Sequence, residues 1–67
     1  MKRLEWKHTG SGTYVAEGRE YSYQIDGIGD DNRVMQMRQP GGQIIREATM
    51  RPLGAAMARA QVWEKLA

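Results

Sequence analysis

The C-terminal run of residues 51–67 constrains the fold most, because it carries the only sustained helical period in the sequence. Counting from Leu53, apolar residues return at intervals of three and four positions, which is the spacing of one helix face. That face comprises Leu53, Ala56, Met57, Ala60, Trp63 and Ala67. The run therefore predicts one amphipathic helix, whose apolar face needs a second apolar surface to cover it.

Thr49 and Pro52 mark the expected start of this helix. Thr is a favourable N-cap residue, and Pro is tolerated in a first helical turn because no backbone N–H is needed there. We expect the helix to begin between them and to continue to the end of the sequence. Gly54 weakens it by about 1 kcal/mol relative to Ala, unless the missing side chain allows close approach to the sheet.

Upstream of the helix, polar and apolar residues alternate in short segments, which predicts half-buried strands. Glycine, proline and small polar residues separate these segments and predict turns, most strongly at Pro40-Gly41-Gly42. The predicted strands are residues 3–8, 13–17, 20–26, 33–39 and 43–48. We therefore expect residues 1–67 to form a single α+β domain, an antiparallel sheet of four or five strands with the C-terminal helix packed on one face.

The two periodicities together predict which side chains form the core. The expected core residues are Leu4, Trp6, Tyr14, Tyr23, Ile25, Met35, Met37, Ile44, Leu53, Met57, Ala60 and Trp63. Tyr21 and Tyr23 share one strand face and admit a second interpretation, a platform on which RNA bases stack. Because Ile25 lies on the same face, we favour packing of both rings beneath the helix.

The residue types present disfavour catalysis and metal binding. The sequence has no Cys and one His, His8, which excludes disulfides, Cys-ligated zinc and His-rich metal sites. Gly10-Ser11-Gly12 is followed by a predicted strand, so it is typical of a hairpin turn rather than of a phosphate-binding loop. Asp30-Asp31 lacks the alternating ligands and closing Glu of a calcium loop. We expect a non-enzymatic binding protein with no catalytic, cofactor-binding or metal-binding residues.

Charge and hydropathy limit the expected partners and the expected cellular location. Ten Lys and Arg against eight Asp and Glu give a formal net charge of +2, which is mild for a dedicated nucleic-acid module. No apolar run approaches membrane-spanning length, and Met1-Lys2-Arg3 is not followed by the apolar region of a signal peptide. The sequence therefore predicts a cytoplasmic protein with no membrane partner.

A nucleic-acid interface is one of two binding modes that the sequence predicts. Its candidate residues are the arginines of the second half, Arg33, Arg38, Arg46 and Arg51. Arg38 and Arg46 lie on predicted strands flanking the Pro40-Gly41-Gly42 turn, which favours a basic sheet edge with salt-sensitive phosphate contacts. Acidic residues on the outward face of the same sheet oppose this interpretation, namely Glu5, Glu17, Glu20 and Asp26.

The other binding mode is protein contact through the helix. Val62 and Leu66 lie one turn apart on the side away from the predicted core face, with Arg59 beside them. Such a patch predicts a partner protein or a homodimer. Fraying of the helix terminus, or wrapping of the sheet edge, are alternative explanations of the same residues.

Several short segments, in this order along the chain, carry a resemblance. They are Trp6, Gly10–Ala16, Tyr23–Ile25, Gly42–Ile45 and Leu53–Ala60. This pattern resembles small phage and prophage proteins of unassigned function, and the second half is similar to the arm-type DNA-binding domains of tyrosine recombinases. The first resemblance implies an inhibitor-like contact with a host or defence complex. The second implies DNA binding by a three-stranded sheet backed by the helix.

Overall fold

The computed structural model describes residues 3–10, 12–27 and 32–66. It confirms the α+β class, because a five-stranded antiparallel sheet is followed by one C-terminal helix packed against it. The elements are β1 (Lys7–Thr9), β2 (Thr13–Glu17), β3 (Ser22–Gly27), β4 (Arg33–Arg38), β5 (Ile44–Met50) and α1 (Leu53–Leu66). The strands follow one another across the sheet in chain order, so each neighbouring pair is a hairpin.

The core lies where α1 crosses β3, β4 and β5. Antiparallel register sets Tyr23 opposite Met37 and Ile25 opposite Met35, so the inward residues of the central strands form one apolar surface. The buried apolar residues are Leu4, Ala16, Tyr23, Ile25, Met35, Met37, Ala56, Ala60 and Trp63. Most of the predicted core is thereby confirmed, and four further predicted members pack against it while partly exposed: Trp6, Tyr14, Leu53 and Met57.

The base-stacking interpretation of the tyrosines is wrong. Tyr23 is only 1% exposed, and Tyr21 is half-buried against the same core. An aromatic ring stacks on a nucleobase only when one of its faces is accessible. The shared face of Tyr21, Tyr23 and Ile25 belongs to the protein interior, as we favoured on sequence.

Ile44 does not belong to the core, contrary to the prediction. Met37 pairs with Arg46, but the next residue, Arg38, pairs with Ile44, so an irregularity in the register sets one extra residue, Ile45, into β5. A bulge of this kind reverses the facing of the residues beyond it. Ile44 therefore lies on the Arg38 side of the sheet and is 41% exposed.

The start of the helix was also predicted too early. Thr49 is not an N-cap; it pairs with Val34 within β5, which extends to Met50. A β-branched residue in a ladder position is well placed in a strand, so sheet pairing prevails over capping here. Pro52 precedes the helix, and its carbonyl accepts hydrogen bonds from the amides of Ala55 and Ala56 at 3.0 and 3.3 Å. The Arg51–Pro52 peptide bond is cis.

The first strand is shorter than predicted. It comprises only Lys7–Thr9, and residues 3–6 precede it as a non-regular segment. This N-terminal segment packs on α1 and makes no ladder pairing with β2. Leu4 is buried, and its amide donates a hydrogen bond of 2.9 Å to Oε1 of Gln61 on the helix. The alternation of Leu4 and Trp6 thus predicted burial correctly but not the strand.

Candidate functional site

The exposed side of α1 carries a continuous apolar stripe. Ala55, Ala58, Val62 and Leu66 recur at three- and four-residue intervals along it, and we call these four residues the helix stripe. Ala58, Val62 and Leu66 are exposed, and Ala55 is half-buried. Val62 is 45% exposed and Leu66 73% exposed. The opposite side of the same helix is buried through Ala56, Ala60 and Trp63. Folding therefore leaves most of the helix stripe accessible to solvent.

Cations flank the helix stripe on both sides. Helical geometry places Arg59 on one side of Val62 and Lys65 on the other, and both are exposed. The only acidic residue within Leu53–Leu66 is Glu64, and it is buried. The solvent-facing side of α1 thus presents apolar side chains between positive charges.

A groove of about 490 Å³ runs between the helix and the N-terminal segment. Its apolar walls include Leu4, Trp6, Met57 and Val62, and Arg3 and Lys65 line it as well. Trp6 and Met57 are half-buried, so each presents part of its side chain to the groove. Because Val62 belongs to both features, the groove and the helix stripe form one continuous surface.

Glu64 is the buried charged residue of the described structure, at 9% exposure. Its Oε2 accepts a hydrogen bond from the amide of Arg19, and its Oε1 accepts one from the hydroxyl of Tyr23, each at 2.8 Å. Gly18 allows this arrangement, since a side chain there would overlap the Glu64 carboxylate. The carboxylate therefore ties the end of α1 to the turn between β2 and β3.

Burial raises the pKa of the Tyr23 hydroxyl well above its usual range. Its hydrogen bond to Glu64 and the negative charge of that carboxylate add to the increase, whereas Arg46 opposes it. The phenol consequently stays protonated and donates to Glu64 at neutral pH. The pair acts as a structural clamp between α1 and β3.

The structure separates the two arginines that were predicted to form a basic edge. Arg38 lies on the open face of the sheet, away from α1, and donates hydrogen bonds of 3.0 Å to the Gly42 carbonyl and to Oε1 of Gln36. Arg46 lies on the helix side, where its guanidinium carbon is 5.7 Å from the centre of the Trp63 ring. The two side chains therefore point to opposite faces of the sheet.

The remaining candidate arginines lie at the other end of β4 and β5. Arg33 is half-buried beside Gly27, where an added Cβ would be 2.6 Å from its Nη1. The Nε of Arg33 is buried and has no hydrogen-bond partner among the described residues. Arg51 is exposed in the connection between β5 and α1, and its side chain or backbone is engaged in an interaction.

The open face of the sheet has mixed charge and is internally hydrogen-bonded. Asp26 accepts a hydrogen bond from the Thr13 hydroxyl at 2.8 Å and one from the side-chain Nε2 of Gln24 at 2.9 Å. Glu47 accepts from Gln36 at 2.8 Å, and Gln36 in turn accepts from Arg38. A phosphate backbone approaching this face would meet these carboxylates as well as the guanidinium of Arg38.

The described residues do not assemble a metal centre. Within residues 3–10, 12–27 and 32–66, no group of three or more His, Asp and Glu side chains is placed to hold a metal ion. Asp30 and Asp31 lie outside the described residues. His8 stacks on Tyr14 with ring centres 4.6 Å apart, and its Nε2 accepts a hydrogen bond from the Gly12 amide at 3.3 Å. These contacts brace the first hairpin.

The sequence interpretation missed the groove and Glu64. Trp6 was assigned to the core, and nothing in the alternation of residues 3–8 indicates that the helix leaves part of its ring exposed. Glu64 did leave a signal: it follows Trp63 directly, beside the core-facing stripe, where a carboxylate needs partners. Among the described residues, no helix is both long enough and apolar enough to cross a membrane.

No protein-family model, curated protein or solved structure matches the chain. The resemblance to small phage proteins and to recombinase arm domains therefore stays a prediction.

Proposed function

We propose that this protein is a small non-catalytic binding module that acts by contact with a partner protein through the helix stripe. The observation that carries the proposal is the exposure of Val62 and Leu66 on a helix whose other side is already packed. Apolar side chains adjacent on one exposed face favour association with another apolar surface. Arg59, predicted beside this patch, borders it and contributes charge to the same contact.

The resemblance to phage proteins sets the class of partner to test first. Under this proposal the protein works in the host cytoplasm and inhibits a host or defence complex by covering part of its surface. Occlusion needs a complementary surface and no catalytic group, which agrees with the role proposed for the helix stripe.

Nucleic-acid binding through the arginines is the rival function, and a titration separates the two. Single- and double-stranded DNA and RNA are titrated at low and at higher salt, with light scattering on the same sample. We expect no salt-sensitive binding, because Arg38 and Arg46 lie on opposite faces and the open face carries carboxylates. Steeply salt-dependent binding that Arg38→Glu abolishes would overturn protein contact in favour of the rival.

A pair of matched variants tests the helix stripe directly. Val62→Glu and Ile45→Glu each add a carboxylate at a similarly exposed β-branched residue, 45% and 42% exposed, on α1 and on β5 respectively. Tagged wild-type and variant proteins are used to capture partners from a host lysate. We expect Val62→Glu to lose the partner that the wild type and Ile45→Glu both retain. Equal capture by all three proteins would contradict the proposal.

A further inference from the structure

We infer that the groove beside the helix stripe receives an amphipathic helix with acidic flanks, supplied by the partner protein. The inference rests on the proposed function and specifies the chemistry of the partner. Three features of the described surface carry it: the shape of the groove, the sign of the charges along it, and the small residues at the N-terminal end of the helix stripe.

The groove has the size and lining of an anchor site. A volume of about 490 Å³ accommodates large apolar side chains, and the walls offer part of an indole and a thioether. Methionine is flexible and polarizable, so Met57 can adapt to the anchor that enters. Binding energy at protein interfaces concentrates where a few such anchors fill desolvated pockets.

The charges around the groove select an acidic partner. Arg3 and Lys65 line it, and Arg59 lies across the helix stripe from Lys65. No exposed carboxylate on α1 offsets these cations, since Glu64 is buried. Complementary charge accelerates encounter and disfavours partners of the wrong sign. Glutamate or aspartate on both flanks of the incoming apolar face would meet these three cations.

The helix stripe favours a helical partner. Ala55 and Ala58 occupy its N-terminal half, and their short side chains let another backbone approach α1 closely. Val62 and Leu66 follow at the C-terminal half, and Ala58 and Val62 also line the groove. A helix laid along the stripe can place residues at three- and four-residue intervals against these positions, which is the helix-in-groove mode of recognition.

The same charges disfavour the other candidate occupants. A second copy docked about a two-fold axis would bring its own Arg59 and Lys65 against these cations, because such an interface uses one surface twice. A nucleic acid would satisfy the cations, but its phosphates would leave Val62 and Leu66 without apolar contact.

The test uses fluorescently labelled peptides of about 15 residues, roughly four helical turns. A set of acidic peptides carries Leu and Trp at helical spacing with Glu at the flanks. A matched set replaces every Glu by Lys, and a single-stranded oligonucleotide is the third probe. Affinity is measured by anisotropy with the full chain. A second acidic set with Phe in place of Trp is used to follow the emission of Trp6, with Trp6→Phe as the spectroscopic control.

We expect the acidic peptides to bind and to shift the Trp6 emission, and the Lys peptides to bind at least about tenfold more weakly. Lys65→Glu should weaken the acidic peptides by about tenfold, and Arg38→Glu, on the open face, should leave them unchanged. Binding of both peptide sets with equal affinity would overturn the charge assignment. Binding of the oligonucleotide alone would overturn the inference in favour of nucleic acid.

The outcomes also separate this inference from the proposed function. If no acidic peptide binds while Val62→Glu still removes a captured partner, the groove inference fails and protein contact through the helix stripe stands. If the acidic peptides bind and the capture experiment shows no effect of Val62→Glu, the groove assignment stands and the proposed occlusion fails. Light scattering could also show a dimer that becomes more stable in the Lys65→Glu variant. That result would overturn the inference, because the occupant of the groove would then be a second copy of this chain.

Discussion

Glu64 shows how a single residue joins two elements of this fold. It is the only acidic residue of α1, and it points inward to accept hydrogen bonds from the Arg19 amide and the Tyr23 hydroxyl. A buried carboxylate without partners would be costly, so both donors are needed. The same burial leaves the exposed side of the helix with cations alone. One side chain thereby affects both stability and the charge of the proposed binding surface.

Replacing Glu64 by Gln should destabilise the protein by about 1–3 kcal/mol, because one of the two donors would face an NH₂ group instead of an oxygen. Glu20→Gln is the matched control, since Glu20 is exposed. Urea unfolding measures the difference. Equal midpoints for the two variants would show that the buried hydrogen bonds contribute no net stability.

Gly18→Ala should destabilise through the same contact. The added Cβ would overlap the Glu64 carboxylate, which cannot move away without losing its hydrogen bonds. We expect a loss of about 1–3 kcal/mol in the free energy of unfolding. When Glu64 is replaced by Ala, the added Cβ at residue 18 no longer meets a carboxylate. Gly18→Ala introduced into the Glu64→Ala variant should therefore cause little further loss in the free energy of unfolding. A penalty that persists there would place its origin in the backbone.

Tyr23 should make stability fall in alkaline solution. Below its unfolded-state pKa of about 10 both states hold the phenolic proton, so the contribution is fully present. Above that pH the unfolded chain releases the proton while the folded chain retains it, because burial and Glu64 raise the pKa of Tyr23. The free energy of unfolding should fall by up to about 1.4 kcal/mol per pH unit from this group.

Urea unfolding at several alkaline pH values checks the Tyr23 prediction. Tyr23→Phe should remove this part of the pH dependence, whereas Tyr14→Phe, which alters a ring stacked on His8 instead, should preserve it. Parallel pH profiles for the wild type and Tyr23→Phe would contradict the assignment.

Among the elements, the edge strand β5 has features that restrain its pairing with another chain. It is the longer of the two edges, at seven residues against three in β1. A long exposed edge is a template for pairing with another chain. The bulge at Ile45 interrupts its regular pattern, and Arg46 and Glu47 add charges of opposite sign on opposite faces. Both features are known to restrain edge-to-edge association.

Replacing glycine by alanine should have opposite effects on stability in the helix and in the last hairpin. Gly54 lies in the first turn of α1 with open space where a Cβ would be, so Gly54→Ala should stabilise the protein by up to about 1 kcal/mol. Gly42 has a φ of 91° and closes the turn by donating its amide to the Gln39 carbonyl at 2.8 Å. Gly42→Ala should destabilise by about 1 kcal/mol or more.

Thermal unfolding of the two alanine variants gives the comparison. The melting temperature should rise for Gly54→Ala and fall for Gly42→Ala. A fall for Gly54→Ala would show that the helix approaches another surface there, as the sequence interpretation allowed.

On the scale of the whole molecule, sheet and helix share one core and should unfold together. The buried residues of α1 pack on those of β3 and β4, so neither side retains a covered apolar face alone. Far-UV circular dichroism and tryptophan fluorescence should give coincident urea transitions. A peptide of residues 53–66 should be largely unfolded in water, since its 14 residues are marginal for an isolated helix. Separate transitions would show that α1 docks as an independent unit.

The sequence by itself determined the α+β class, a sheet of four or five strands and most of the core. The alternation of side chains in strands and the helical period are local properties of the chain. They predict on which side of a strand or helix each side chain lies, wherever that element is regular. Tyr23, Ile25, Met35, Met37, Ala60 and Trp63 were found in this way.

Tertiary structure decided the rest. The bulge in β5 exposes Ile44, and the pairing of Arg46 with Met37 sets Arg46 on the helix side, opposite to Arg38; both outcomes depend on the register with β4. The groove exists because residues 3–6 pack on α1 rather than extending β1. Glu64 is buried because the turn at Gly18 and the hydroxyl of Tyr23 meet it there. Each of these features joins residues distant in sequence, and a local pattern contains no information on which distant donor or surface a side chain will meet.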